Sequence, residues 1–596
     1  MNTFFFAIFA QKKKSMKLKK TKYGILWIVL LFVLSVVNLL FMHAFFRYEG
    51  YFGLWPYAYS TPVNFFVTVM DTSLILLFFL ALTWGRVKVS LSLCFFYTLI
   101  WSFVNVFYGS FFGQYLPLSA IRQAGSLTDG LVVESMLAGI RWQYSFYLFS
   151  LCFFIFIFHK APQFRFSSKM FWCLLSIPLI SVICVFCVYT GYHFAHPTMR
   201  HNMELYKSML NGVFVEPEKT KNSFPNDTRY HTGVIRILLS DIVDLFSDRE
   251  LSEDEKDLIF DVFSSNAGRT TDNQLNKNLR NVIFIILESF LSSSSELKVD
   301  GKEITPFLNS LKHDSTVYYN GHLIPNITIG ESGDGQFIYM TGLLPLRTKL
   351  TVGEAKTKKL FALPNILKDY FGIKYAEIVL PTTTQMWQQF AMNNVYGIDK
   401  SYQNIDVVDD RDTPLNDKQV FDLAMKTNKE VNQPSFSMVL SVDTHQPYRE
   451  PVINDFVLSD NSYPESYRNY LIACHQVDRL LDRYFSHLKQ IGMLDNSLIV
   501  IVSDHHAHMD ALGMGEKITN ELPLYIVNGN IDTDIAWKGQ CNQLDVFTTI
   551  LDVLNIDSEW KGLGHTLLSP EYENSVTPRI WDVSECIIEG DFFNQN

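Results

Sequence analysis

The sequence predicts five membrane-spanning helices followed by an extracytoplasmic α/β domain with a mainly parallel sheet flanked by helices. Three observations predict it. Apolar residues, including many of the 49 phenylalanines, crowd into the first third of the 596 residues. Lysine and arginine fall unevenly on the loops between the apolar stretches. After residue 280, continuous apolar runs of strand length alternate with segments of helical periodicity, as buried parallel strands and their crossovers do.

Five stretches, at 23–46, 62–84, 89–108, 143–158 and 170–192, are long enough, or nearly so, for a hydrocarbon core of about 30 Å. The fourth is the shortest. Lys12, Lys13, Lys14, Lys17, Lys19, Lys20 and Lys22 precede the first stretch, so residues 1–22 read as a basic cytoplasmic N-terminus. Arg86 and Lys88, then Lys160, Arg165 and Lys169, mark two further cytoplasmic loops. The opposite loops carry only Arg47, and Arg122 with Arg141. Five crossings over 23–192 put everything after about residue 193 outside. The apolar run 4–10 is too short to span, and the cluster that continues after Met16 suggests a start at that methionine instead of Met1. The 114–141 loop is read as either an interface-lying amphipathic piece or ordinary loop.

A net charge of −10 with no basic stripe beyond the N-terminus argues against nucleic-acid binding. Of eight cysteines, five lie in the apolar stretches, and Cys474, Cys541 and Cys586 are scattered through the polar part. No CxxC pair or disulfide framework is present. Residues 193–279, broken by Pro197, Pro217 and Pro225, read as a helical linker with a helix near 235–246.

Within 280–596, strands are expected at 282–287, 375–380, 436–442, 498–502 and 524–527. Leu471, Cys474, Val477, Leu481, Phe485 and Leu488 recur at helical spacing over 466–491, with Gly492 as the stop. Another helix is expected over 543–554. The first, third and fourth strands end in Glu288, in Asp443 and His445, and in Asp504 and His505. One acid after a strand is ordinarily a turn or cap residue. Several acids and histidines delivered to one carboxyl edge favour a metal site. The margin is wide for Glu288, Asp504 and His505 and narrower for His445. Carboxylates plus imidazole suit a hard or borderline divalent cation, which would activate a coordinated hydroxyl. Ser332, in Gly330-Glu331-Ser332-Gly333-Asp334, precedes an apolar helix over 337–344 and is the candidate hydroxyl. Free amides at that helix start could hold a phosphate. A serine before a helix is more often a plain cap, so only its company raises it. His508 is read as facing solvent, with a second metal as the rival reading. His475 and Asp478 are read as ordinary helix pairing.

The ordered set of five spans, Glu288-Ser289, Gly-Glu-Ser332-Gly-Asp, Thr-His445-Gln-Pro-Tyr, Ser-Asp504-His505 and Gln543-Leu-Asp545-Val resembles the lipoteichoic acid synthase and phosphoglycerol transferase family. That family sits in the sulfatase-like branch of the alkaline phosphatase superfamily. The resemblance covers nearly the whole chain and implies a multi-pass protein of the bacterial cytoplasmic membrane with a sulfatase-like outer domain. It implies one divalent metal, manganese first and magnesium or zinc as alternatives, held by Glu288, Ser332, Asp504 and His505. It also implies a phospholipid donor, a glycan or glycerol-phosphate-type acceptor, attack by Ser332, and His445 meeting the substrate phosphate or protonating the leaving group. Serine stands where those synthases usually have threonine. Their glycerol-phosphate pocket uses His-Gly-Asp followed by Trp and Arg. Here the segment from Leu380-Pro381-Thr382 to Trp387-Gln388-Gln389 keeps only Trp387, as a pocket wall or a core aromatic. A phosphoethanolamine transferase ranks second. A sulfuric-ester hydrolase lacks its Cys/Ser-x-Pro-x-Arg context, and a non-catalytic membrane protein fits poorly with four retained metal-site residues.

Overall fold

The structure, a computed structural model, describes residues 2–48, 57–112, 114–118, 140–163, 165, 168–195, 225–246, 250–266, 275–347, 349–408, 413–431, 433–449, 456–458 and 462–595. The chain forms two compact units. One comprises Met1–Leu118 with Gly139–Ser247, the other Ser119–Ala138 with Asp248–Asn596.

In the first unit, helices α1 (Asn2–Tyr48), α2 (Tyr57–Leu82), α3 (Val87–Phe112), α4 (Ser145–Lys160) and α5 (Ser168–Ala195) contain five segments long and apolar enough to cross a membrane. These are Gly24–Tyr48, Thr61–Leu82, Val87–Ser110, Trp142–Lys160 and Leu174–Gly191, close to the expected stretches. Small polar groups join them. Ser102 Oγ donates to the Asn38 carbonyl at 2.7 Å and Ser150 Oγ to Asn38 Oδ1 at 2.7 Å, so one asparagine ties α1 to α3 and α4. Between apolar helices in lipid such bonds add to close packing. Two further helices, α6 (Pro225–Thr232) and α7 (Val234–Phe246), belong to this unit. Of the 114–141 loop, 119–139 lie outside the described residues.

The second unit opens with helix α8 (Glu253–Asn266) and is organised by an eight-stranded sheet. Its strands are β1 (Asn281–Leu287), β2 (Val317–Ile324), β3 (Tyr375–Val379), β4 (Lys400–Tyr402), β5 (Ser435–Leu440), β6 (Ser497–Ser503), β7 (Leu522–Val527) and β8 (Cys541–Asn542). The spatial order is β8-β2-β7-β6-β1-β5-β3-β4. All pairings are parallel except those of β7, which runs against β2 and β6. Central β1 explains why these strands read as unbroken apolar runs. Val282, Phe284 and Ile286 enter one core while Ile283, Ile285 and Leu287 enter the core on the other face. Each such side chain, fully buried, contributes about 1.5–3 kcal/mol.

The five expected strands are present, and β2, β4 and β8 were not anticipated. Strand β2 carries Asn320, Gly321 and His322 around a register shift between Asn320 and Leu323, which erases its alternation. Helices α9 (Ser332–Thr341), α10 (Asp417–Glu430), α11 (Glu465–Gln490), α12 (Asp545–Val553) and α13 (Pro578–Glu589) flank the sheet. The α9 helix starts and ends earlier than its apolar run suggested. Gly333 and Gly335 lie inside it, and Gly342 at φ +65° closes it. Gly492, at φ +72°, follows α11 as expected.

Candidate metal centre and its neighbouring serine

Register brings the site together. Strands β1 and β6 are parallel neighbours with Leu287 opposite Ser503, so the next residues, Glu288 and Asp504, emerge side by side. A sharp turn follows, with Ser289 at φ +49°. Its amide donates to Asp504 Oδ1 at 2.8 Å and its hydroxyl to Glu288 Oε1 at 2.7 Å. From β5, on the other side of β1, Ser441 Oγ accepts the Glu288 amide at 2.9 Å. The Thr444 hydroxyl donates to the Glu288 carbonyl. Glu288 is thus fixed from both neighbouring strands.

Ser332 opens α9 and points into this corner. Its Oγ donates to Glu288 Oε2 at 3.2 Å and lies 3.1 Å from His505 Nε2. His505 Nε2 also lies 3.3 Å from Glu288 Oε1 and 3.6 Å from Asp504 Oδ2. The loop before Ser332 is held by Asp334, whose Oδ2 accepts the Thr328 amide and hydroxyl and the Gly330 amide. Close approach of α9 to the sheet depends on glycine, because a Cβ at Gly335 would come 2.3 Å from the Asp504 carbonyl oxygen. The expected nest of free amides is not found. Gly333, Asp334 and Gly335 N–H bond to the Gly330 and Glu331 carbonyls, so α9 contributes its dipole rather than three open donors.

Among the described residues, Glu288, Asp504 and His505 offer ligand atoms within 4.8 Å of one another, all buried. Burial and the Glu288 carboxylate push Asp504 up to about 8. Burial pushes Glu288 up too, but the His445 and His505 imidazoles outweigh it and hold it below the usual carboxylate range. His505 is pushed down by burial, yet Asp504 and Glu288 prevail and hold its imidazolium well above the ordinary value. Two buried carboxylates side by side call for a positive charge, and a coordinated cation would compete with the His505 proton. The residues present therefore fit a divalent metal, with the Ser332 hydroxyl as a fourth donor.

A pocket opens beside these groups, lined by Glu288, Ser332, Asp504, Gln336, Thr382 and Trp387 among others. Trp387 is both wall and core aromatic. It packs against the core cluster, and a Cβ at Gly333 would lie 3.0 Å from its Cδ1. Trp387 and Gln388 hold positive φ values of 47° and 55°, a local backbone strain beside the pocket. His445 is not among the residues that line the pocket. It is half-buried, with Nδ1 on the Gln446 carbonyl, and its field reaches Glu288.

Three differences from the sequence reading stand out. His508 faces the site, its Nε2 4.0 Å from Glu331 Oε2. Glu331, which was not singled out, lies 3.5 Å from His505 Nδ1, and burial pushes it up to about 7. Its backbone at φ +47° is a signal no periodicity carries. Gln543 Nε2 donates to the Asp504 carbonyl at 2.7 Å. On α11, Asp478 accepts the amides of Phe307 and Leu308, and His475 Nδ1 contacts the Ile304 carbonyl. Both are structural, and Cys474 is a buried thiol.

Residues 280–556 match the family model described as Sulfatase. Lipoteichoic acid synthase 2 of Bacillus subtilis is 28% identical over 325 residues, which cover 51% of this chain and 49% of that protein. The chain thus spans about half the length of that relative. Lipoteichoic acid synthase of Staphylococcus aureus (strain USA300) is 25% identical over 511 residues, covering 80% of this chain and 74% of that protein. Among solved structures, the integral membrane protein lipooligosaccharide phosphoethanolamine transferase A from Neisseria meningitidis aligns with a TM-score of 0.53 at 14% identity. It covers 91% of this chain and 98% of its own. At that identity the likeness speaks for the fold: apolar N-terminal helices followed by a sulfatase-like domain.

Proposed function

We propose that the chain is a membrane phosphotransferase moving a phospho-headgroup from a phospholipid to a glycan or glycerol-phosphate-type acceptor, a reading supported by the match of residues 280–556 to the family model described as Sulfatase. Phosphoglycerol is the first candidate headgroup. Relatives named lipoteichoic acid synthase support the class. The observation that carries the reading is Ser332 Oγ between Glu288 Oε2 and His505 Nε2 at the start of a helix.

The metal, manganese first and magnesium or zinc as alternatives, would be held by Glu288, Ser332, Asp504 and His505 and would lower the pKa of a coordinated hydroxyl. Glu288 and His505 both lie within reach of the Ser332 proton. Ser332 Oγ attacks phosphorus, the bond to the diacylglycerol oxygen breaks, and that oxygen takes a proton. His445, whose field reaches Glu288, suits that protonation and contact with the phosphate. An acceptor hydroxyl then attacks the phosphoseryl phosphorus and Ser332 Oγ leaves. Trp387 packs against the headgroup. The Lys-rich N-terminus and five apolar helices support a multi-pass protein of the bacterial cytoplasmic membrane with its catalytic domain outside.

One observation favours a second headgroup, phosphoethanolamine. The charged groups among the described pocket residues are Glu288 and Asp504, with no Arg or Lys to grip a polyol, and an indole face accepts an ammonium. The test incubates the purified protein with labelled phosphatidylglycerol or phosphatidylethanolamine and with manganese, magnesium or zinc in turn. Label trapped on Ser332 from phosphatidylglycerol is expected. Trapping from phosphatidylethanolamine alone would replace the headgroup. No adduct with any donor, and no effect of Ser332→Ala, would remove the enzyme reading. A reporter fused to the C-terminus tests the orientation.

A further inference from the structure

We propose that α6 and α7 form a re-entrant membrane element: the chain dips into the outer leaflet, turns at Gly233 and rises with the apolar face of α7 against acyl chains. The proposal rests on the five-span reading but is carried by separate contacts.

The descent is fixed by α2. Asn64 Nδ2 donates to the Tyr230 carbonyl at 2.9 Å, and Asp71 Oδ2 accepts the Val234 amide at 2.7 Å. Both acceptor and donor residues of α2 lie within the apolar span Thr61–Leu82. Asp71 is ten residues beyond Thr61, about 15 Å along an α-helix, or half of a ~30 Å hydrocarbon core. The tip must be glycine. Gly233 has φ +92°, and a Cβ there would come 2.5 Å from Asp71 Oδ2 and 2.7 Å from Val67. Backbone that breaks helical bonding at such depth needs a protein partner for its exposed groups. Asp71 supplies one at the start of α7, where a carboxylate is also favoured by the helix dipole.

On α7, Arg236 is half-buried and Asp241 buried, while the exposed positions among the described residues are all apolar. Asp241 is turned inward, where it accepts the Leu118 amide at 3.2 Å and lies 3.7 Å from the buried Arg229 guanidinium. Val234 and Ile237 are buried beside it, and Val234 joins the core of the spanning helices. Outward stand Leu239, Ile242 and Val243, exposed by 58%, 38% and 64%. Apolar outside and paired charge inside is the arrangement expected where the surroundings are hydrocarbon. The spanning helices of the same unit also expose apolar residues, such as Leu148 and Phe149 of α4.

The test places the full chain in phosphatidylglycerol and phosphatidylcholine vesicles containing a phospholipid with a mid-chain diazirine. After irradiation, adducts are mapped by mass spectrometry. Adducts on Leu239, Ile242 and Val243 are expected, with a yield comparable to that on Leu148 and Phe149. Labelling of α4 with α7 modified only by water-borne hydroxyl radicals would overturn the re-entrant element while leaving the spans intact. Absence of acyl adducts on α4 as well would overturn the five-span reading and this inference with it. Asp71→Leu should lose the α7 adducts and Asp71→Asn, which keeps an acceptor, should retain them. Unchanged labelling in Asp71→Leu would overturn the pin.

Discussion

Gly335 of α9 sits so close to the end of β6 that a Cβ would lie 2.3 Å from the Asp504 carbonyl oxygen. That carbonyl is already fixed by Gln543 Nε2 at 2.7 Å, so backbone meets backbone with no flexible side chain to yield. Gly335→Ala should therefore push α9, and Ser332 with it, away from Glu288. Overpacking of this kind costs about 1–3 kcal/mol, and Ser332 Oγ moves with the helix. Turnover should fall more steeply than the melting temperature. Near-normal turnover in the variant would show that the serine is positioned from elsewhere.

Metal removal should silence the protein. On the proposed function, chelation would leave two buried carboxylates without a cation, so phospholipid turnover should fall at least ~100-fold and return when manganese is restored. Binding only to the folded chain also stabilises it, by about 2.7 kcal/mol at a hundred times the dissociation constant. The wild type should melt higher with manganese present, and Glu288→Gln should lose most of that increment. An equal increment in both would place the ion away from Glu288.

The parts of the fold most legible in the sequence were those fixed by periodicity. Strand β1 is apolar throughout because both its faces are buried, and α11 repeats its apolar residues because one face packs. Glu288 and Asp504 were readable as neighbours because parallel strands deliver their next residues to one edge. Strand β2 was illegible because Asn320 serves a bulge, not a face, its Oδ1 accepting the His322 amide two residues on. Glu331 escaped for a related reason: its position follows from left-handed backbone, which leaves no mark in hydropathy. The amides at the start of α9 misled because a helix start was assumed open, whereas the Gly330 and Glu331 carbonyls close it.

The proposed function gives Trp387 a part in binding more than in bond-breaking. Its indole stands against Gly333, beside Ser332, and forms part of the pocket wall. Trp387→Ala should raise KM for the phospholipid, by about tenfold for ~1.4 kcal/mol of lost contact, with a smaller change in kcat. Trp387→Phe should recover much of it. Initial rates across donor concentration decide the matter, and a loss confined to kcat would mean that the indole acts by holding α9 in place.

The last prediction concerns two acids beneath the His445 loop. Asp417 Oδ1 accepts the Val442 amide at 2.6 Å, and Gln476 Nε2 donates to Asp443 Oδ2 at 3.2 Å. Burial and the Asp443 carboxylate raise Asp417 well above the usual range, and burial lifts Asp443 up to about 6. Raised values mean that the folded chain holds protons which the unfolded chain has released above about pH 4. Stability from this pair is therefore present at low pH and lost as pH climbs through about 6 and beyond. Asp417→Asn keeps an acceptor for Val442 but removes one of the two charges. Melting temperatures of the detergent-solubilised chain should fall less between about pH 5 and pH 8 in the variant than in the wild type. Parallel slopes would mean that the two carboxyls do not share a proton in the folded state.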